Sequence, residues 1–214
     1  MVQGRLVSSE HDLVECTGVS RPLLAGAHGV VLVADDLAER ASNLGRQGLE
    51  VGYLDAEDVQ LGGFRFLDCG DLTWNMEAKL VHPVNRIGTV DVYQVNHHGL
   101  ANSNNPLLVK SVTPQVSVMN NRHTKGCSPG RVAALTGTKY IQARSEVHRN
   151  LREDGNKNNT GNDYIANLTD PSGCKAFALK MTVAADGKIY VTARDGTVSV
   201  LKAGPKFEGL SKKK

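Results

Sequence analysis

The sequence predicts an α/β fold, because strand-like and helix-like segments alternate along residues 29–135. Short hydrophobic runs typical of strands occur at residues 30–34, 64–68, 89–95 and 115–119. Two helix starts lie after such runs, at Asn105–Pro106 and Ser128–Pro129, where a capping residue precedes a proline of the first turn. This order is typical of a layered domain in which helices cover a sheet.

The individual helices follow from caps and from hydrophobic spacing. Asp35 can cap a helix that is predicted to end near Gly48. A second helix is predicted after residue 71, because Leu72, Met76 and Leu80 fall four residues apart and form one apolar stripe. The helix that begins at Asn105 is expected to end before Pro114.

The last third of the chain has a different pattern. Residues 150–163 are rich in Asn and Gly and are predicted to form a mobile loop. Beyond them, Asp-Gly turns at 186–187 and 195–196 separate three β-rich runs, which predicts a three-stranded meander. The segments DGKIYV and DGTVSV are similar to a blade of a quinoprotein-like β-propeller. One meander cannot close a propeller, so a closing hairpin of the main domain and a chimeric tail both remain possible.

Charge and hydropathy exclude some classes of function. The 214 residues carry a net charge of +3, which Lys212, Lys213 and Lys214 alone account for. The remainder is near neutral and has few aromatic residues, which argues against a nucleic-acid-binding surface. No apolar run has the length of a membrane span, and the first residues have no signal-peptide pattern, so we expect a cytoplasmic protein without a membrane partner.

Two polar corners follow predicted strands and are candidates for a functional site. Asp68 and Asp71 follow one strand, and His97 and His98 follow another. Loops at strand ends are where α/β sheets place ligands and catalytic groups. Carboxylate oxygen and imidazole nitrogen are both zinc ligands, but a catalytic zinc needs three protein ligands, so one Asp and one His cannot form such a site alone.

Residues 64–121, FRFLDCGDLTWNMEAKLVHPVNRIGTVDVYQVNHHGLANSNNPLLVKSVTPQVSVMNN, resemble the carboxy-terminal half of a metallo-β-lactamase-fold hydrolase. The closest likeness is to the bacterial branch that shares a GDL…HHG signature with ComEC-type competence proteins. The resemblance implies an αββα sandwich of two sheets flanked by helices, with one or two zinc ions at one edge. It also implies hydrolysis of a small-molecule ester, phosphoester or amide.

The resemblance assigns roles to particular residues. It implies that Asp71 bridges the metals and that His98 is the last histidine ligand, these two being the catalytic residues. His97 is then either a neighbour of that ligand or the alternative ligand. Gly99 would serve the sharp turn after the strand. Asp68 and Glu77 would lie next to the ligands without binding the metal themselves. For Glu77, a solvent-exposed position on the helix is the alternative.

The chain departs from the family in its first part. The family's H-x-H-x-D-H motif is absent, and only His11 and His28 precede Asp71. We therefore expect an unassigned α/β segment at 1–57, the second half of the metallo-β-lactamase-like domain at 58–185, and a β-hairpin tail with a basic end at 186–214. Such a chain would be incomplete as a catalyst. The alternatives are a fragment, a non-catalytic binding module that keeps half of the fold, or a site completed by a partner chain.

Overall fold

A computed structural model describes the chain continuously from residue 64 to residue 169. Outside that range it describes residue 177, the side chains of Leu179 and Met181, and the backbone of the strands at 2–3, 30–34, 45–51, 54–61, 179–183, 188–192, 198–202 and 208–213. The turns predicted at 186–187 and 195–196, the helix predicted over 35–44, and His11 and His28 lie outside the described residues.

The described strands and helices alternate in the central part of the chain. The strands are β1 (Val2–Gln3), β2 (Val30–Ala34), β3 (Gly45–Val51), β4 (Leu54–Leu61), β5 (Phe64–Asp68), β6 (Val92–Val95), β7 (Val116–Met119), β8 (Ala143–His148), β9 (Ile165–Asn167), β10 (Leu179–Val183), β11 (Lys188–Thr192), β12 (Val198–Lys202) and β13 (Glu208–Lys213). The helices are α1 (Trp74–Val81), α2 (Pro106–Val112) and α3 (Pro129–Thr136). None of the helices in the described part of the chain is long and apolar enough to cross a membrane.

The larger sheet has the order β3-β4-β5-β6-β7-β8-β9. Strands β5 to β9 are parallel, and β3 and β4 add an antiparallel hairpin at one edge. Because neighbouring parallel strands end at the same edge, the loops after β5, β6, β7 and β8 are brought together there. This confirms the predicted α/β class.

The second sheet has the order β1-β2-β10-β11-β12-β13. Strand β10 is parallel to β2, and β10 to β13 form an antiparallel meander. The three predicted strands of the meander are confirmed, and β13 adds a fourth. The boundary that we placed between residues 57 and 58 falls inside β4, and the strands after residue 186 share a sheet with β2.

Both faces of the parallel sheet are buried. Leu67, Tyr93 and Met119 pack with the three helices in one apolar cluster. The residues that alternate with them, Phe66 and Val92 among others, are buried on the opposite face. Strand β8 contacts β10, whose Leu179 and Met181 side chains are buried as well. Burial on both faces explains why these strands read as nearly continuous hydrophobic runs.

The helix predicted from Asp35 to Gly48 is wrong at its end, because residues 45–51 form strand β3, which pairs with β4. With Gly45 and Gly48, this segment has a weak intrinsic preference for either element, so its pairing with β4 decides the outcome. The other helix starts are confirmed. The Asn105 side chain accepts a hydrogen bond from the Leu107 amide at 2.9 Å, whereas Ser128 begins α3 without a side-chain cap.

The Asn-rich segment at 150–163 is a loop, as predicted, but its hydrogen bonds do not support the expected mobility. Asn150 is fully buried, and its Nδ2 donates to the carbonyls of Arg122, Lys125 and Gly126. The Asn159 side chain accepts from the Asn150 amide at 2.7 Å and donates to the Asn150 carbonyl at 2.9 Å. The asparagines therefore tie the loop to the segment after β7.

Glu146 on β8 makes the stability of the fold depend on pH. Its side chain is 0% exposed, and burial raises its pKa from 4.5 to about 7, although Arg144 and the Thr160 amide oppose the shift. Because the folded protein favours the protonated form of this carboxyl, the free energy of unfolding is highest below pH 4.5. It falls as the pH rises to 7 and the folded protein has to ionise the buried group. Between those two pH values, we expect wild type to lose about 3 kcal/mol of unfolding free energy relative to Glu146→Gln. Urea unfolding of both proteins at each pH tests this, and a difference that does not change with pH would contradict it.

Candidate active site at the carboxyl edge of the parallel sheet

The two predicted polar corners meet at the carboxyl ends of β5 and β6. A cleft of about 160 Å³ lies between them, lined by Asp68, Gly70, Asp71, Gln94, Val95, His97, His98 and Asn120. The His97 amide donates to the Gly70 carbonyl at 3.0 Å, which joins the two corners directly. Asp71, His97 and His98 therefore lie together in one cleft.

The histidine corner has an unusual backbone. His97, His98 and Gly99 have φ angles of 50°, 58° and 78°, so three consecutive residues are left-handed. For a residue with a Cβ this conformation costs roughly 1–2 kcal/mol, and such strain is found where surrounding contacts enforce it, often at functional sites. Both histidines of this turn line the cleft.

Two glycines hold this turn in place. Gly99 has a φ of +78°, which is compatible with the sharp turn expected after the strand, and a Cβ there would lie 2.9 Å from the Met119 Sδ. A Cβ on Gly126, at φ +88°, would lie only 2.0 Å from the His98 carbonyl oxygen. Gly126 therefore lets a second backbone segment pack directly behind His98, a contact between residues 28 positions apart that no local pattern in the sequence indicates.

His98 is held in one tautomer. It is 6% exposed, and its Nδ1 lies 2.7 Å from the Asn120 carbonyl oxygen. A carbonyl only accepts hydrogen bonds, so Nδ1 carries the proton and Nε2 carries the lone pair in the neutral ring. A backbone carbonyl on the other ring nitrogen is the usual support of a metal-binding histidine.

His97 is held in the same tautomer through Ser103. The Ser103 hydroxyl donates its proton to the Leu72 carbonyl at 2.7 Å, so toward the His97 Nδ1, at 3.3 Å, its oxygen accepts. The lone pair of neutral His97 is then on Nε2, which lies 3.9 Å from the Asp71 Oδ2. Of the two histidines, His97 thus has an observed side-chain approach to Asp71.

Asp68 shapes the carboxylate corner. Its Oδ1 accepts from the Gly70 amide at 2.8 Å, and its Oδ2 accepts from the Gln94 Nε2 at 2.5 Å. These bonds fold the Asp68–Asp71 turn and link it to β6. Asp71 is 61% exposed at the mouth of the cleft. Asp68 therefore positions the corner, while Asp71 is the carboxylate that an ion or substrate would meet.

Glu77 lies on α1 behind the histidine turn and is 0% exposed. Its Oε1 accepts from the Asn96 Nδ2 at 2.6 Å and the Asn104 amide at 2.7 Å, and its Oε2 accepts from the Asn105 amide at 2.6 Å. Burial raises its pKa, while these three hydrogen bonds act in the opposite direction. The alternative of a solvent-exposed helical Glu77 is wrong, because this carboxylate organises both ends of the loop that carries His97 and His98.

The protonation state of His98 suits a ligand. Burial lowers its pKa, although the bond to the Asn120 carbonyl raises it again in part. A lowered pKa keeps the ring neutral at pH 7, and the neutral imidazole is the form that binds a metal ion. Cys127, behind the turn, does not contribute a thiolate, because burial raises its pKa to about 12.

The described donors match zinc in type but not in number. Asp71 offers a carboxylate oxygen. His97 and His98 each offer an Nε2 lone pair, because the Ser103 hydroxyl contacts the Nδ1 of His97 and the Asn120 carbonyl contacts the Nδ1 of His98. Among residues 64–169 and the other described positions, no group of three His, Cys, Asp or Glu side chains is close enough together to hold one ion. The structure therefore brings together two corners of a possible metal site.

Comparison with known proteins does not assign this chain to a family. No protein-family model matches the chain, and no curated protein matches it by sequence. The function is therefore inferred from the residues of the cleft.

Proposed function

We propose that this chain is a zinc-dependent hydrolase domain of the metallo-β-lactamase superfamily that carries the carboxy-terminal half of the site. The observation that supports it is the convergence of the Asp71 corner and the His97–His98 corner in one cleft. The two sheets and the helices over the parallel sheet agree with an αββα sandwich. The order Gly-Asp, helix, strand and His-His-Gly agrees with the sequence resemblance.

In this proposal, Asp71 and His98 hold the metal, with His97 as the alternative ligand. A bound zinc ion lowers the pKa of its water toward roughly 7 and so supplies hydroxide at neutral pH. The chain's own part is orientation: Asn120 and Ser103 fix the histidine tautomers, and Asp68 folds the turn that presents Asp71. The cleft, of about 160 Å³, would receive one ester or phosphoester group of a substrate.

The second candidate is a non-catalytic binding module that retains half of the fold. It is favoured by the donor count, since the described residues do not assemble three ligands. A module of this kind would bind a small anionic or ester-bearing molecule in the cleft without turning it over. Nucleic acid remains disfavoured by the near-neutral charge of the chain.

Hydrolysis assays separate the two candidates. Because the H-x-H-x-D-H motif is absent, this chain should be an incomplete and slow catalyst. With zinc supplied, we still expect detectable, chelator-sensitive cleavage of p-nitrophenyl acetate or bis-p-nitrophenyl phosphate. Asp71→Asn should abolish that cleavage, because removal of a ligand costs more than the tenfold to hundredfold lost with a supporting group. Glu153→Gln, an exposed acid in the loop after β8, is the matched control and should retain full activity. Turnover that is absent from wild type, or equal in Asp71→Asn, would sink the hydrolase proposal.

A further inference from the structure

A second pair of histidines lies farther along the same edge of the sheet. His148 is the last residue of β8, and His123 is in the loop after β7. Their ring centroids are 4.7 Å apart, with the ring planes at 71°. The proposed hydrolase site uses neither residue.

Both rings are anchored through Nδ1 to the backbone. The His148 Nδ1 lies 2.9 Å from the Asn121 carbonyl oxygen, and the His123 Nδ1 lies 3.0 Å from the Arg149 carbonyl oxygen. Because carbonyls only accept, both Nδ1 atoms carry protons and both neutral rings have their lone pair on Nε2. This arrangement is typical of metal-binding histidines, whose second nitrogen donates to a carbonyl or carboxylate.

The lone pair of His123 is buried without a partner. His123 is 7% exposed, and no hydrogen-bond donor among the described residues reaches its buried Nε2. An unsatisfied buried polar atom costs about 1–3 kcal/mol, and such an atom in a native protein requires an explanation. A ligand that accepts the lone pair would remove this cost.

The environment also keeps His148 in the form that binds metal. Burial lowers its pKa, and the charges of His123 and Arg122 lower it further, against the opposing effect of the bond to Asn121. The Asn121 side chain adds a hydrogen bond to the His148 carbonyl and accepts one from the His148 amide at 3.3 Å. His148 is therefore both neutral at pH 7 and firmly oriented, and its partial exposure gives the pair access to solvent.

We propose that His123 and His148 form a second metal-binding site, which takes a divalent transition-metal ion such as zinc through the two Nε2 atoms. Two imidazoles on one tetrahedral zinc ion, each with a zinc–nitrogen distance of about 2.1 Å, would have centroids about 5 Å apart. The observed 4.7 Å is close to that separation. Water or an added anion would fill the remaining positions of the ion.

This site is distinct from the cleft of Asp71, His97 and His98. His98 is anchored to the Asn120 carbonyl and His148 to the Asn121 carbonyl. In the sheet, β7 lies between β6 and β8, so His98, which follows β6, and His148, at the end of β8, lie on opposite sides of the segment that follows β7. The pair does not depend on the proposed hydrolase function, and it can be tested when the first cleft is disabled.

The test is a zinc titration of the full chain that carries Asp71→Asn, followed by nitrogen NMR of the histidine rings. We expect the Nε2 signals of His123 and His148 to shift together on addition of zinc, while both Nδ1 atoms remain protonated. This readout needs no substitution at the pair, so it does not depend on a variant that folds poorly. An Nε2 signal of His123 that is unmoved by excess zinc would overturn the proposal.

Substitution then assigns the ligands. His148→Gln should weaken zinc binding at the pair at least about tenfold, since it removes one of two protein ligands. His82→Gln, at an exposed histidine that follows α1, is the matched control and should leave the affinity unchanged. Equal zinc affinity in His148→Gln and wild type would show that the two rings only pack against each other.

Discussion

Glu77→Ala should lower the free energy of unfolding by about 4 kcal/mol, the largest loss that we expect from a single side chain near the cleft. The carboxylate is fully buried and accepts hydrogen bonds from Asn96, Asn104 and Asn105. Its removal leaves three N–H donors without an acceptor, two of them on the buried residues Asn96 and Asn104. Glu77→Gln should lose about 2 kcal/mol, because one of the two oxygens becomes a donor that faces a donor.

Chemical denaturation measures both changes, and Glu153→Ala serves as the control at an exposed acid of the loop after β8. We also expect the Asn104 and Asn105 amides to lose protection from hydrogen exchange in the Glu77 variants, because these amides donate directly to the carboxylate. If Glu77→Ala were as stable as Glu153→Ala, Glu77 would not organise the histidine loop.

Gly126→Ala should destabilise the fold by about 3 kcal/mol and displace His98. Its φ of +88° is unfavourable for any residue with a Cβ, and the added carbon would lie 2.0 Å from the His98 carbonyl oxygen. The added carbon would meet a backbone oxygen and not the end of a flexible side chain, so one of the two backbone segments must move. Because His98 would shift relative to Asp71, zinc binding in the cleft should also weaken at least about tenfold.

Gly130 provides the matched control for that substitution. It lies in α3, and a Cβ built there meets nothing within 4 Å. Gly130→Ala should therefore be neutral or stabilise the protein by about 0.5–1 kcal/mol, as alanine favours helix. Thermal unfolding and zinc titration of the two variants decide the point, and equal behaviour would contradict the close approach of Gly126 to His98.

Local patterns in the sequence correctly predicted the helices and strands that depend mainly on interactions between residues close together in the chain. The alternation of apolar runs with helix starts predicted the α/β class, and Asn105–Pro106 marked the start of α2 because cap and proline act within one turn. The two polar corners were found because they interrupt hydrophobic strands. The helix predicted to end near Gly48 failed because β3 depends on its pairing with β4.

The supports of the candidate site could not be predicted in this way. Glu77 acts on residues about 20 to 30 positions away, and Gly126 acts on His98 across 28 positions. The anchoring of His148 to Asn121 likewise requires that β7 and β8 be neighbours. A buried acid on an amphipathic helix and a glycine in a polar loop have ordinary explanations in sequence, and only the tertiary contacts distinguish these residues from others of their type.

Zinc content per chain, measured by elemental analysis after dialysis for wild type and for Asp71→Asn, tests the central claim most directly. The comparison isolates the cleft, since the His123–His148 pair is present in both proteins. Wild type should retain about one equivalent of zinc more than Asp71→Asn, as expected when a direct metal ligand is removed. Equal zinc content in the two folded proteins would contradict it, because Asp71 would then hold no metal.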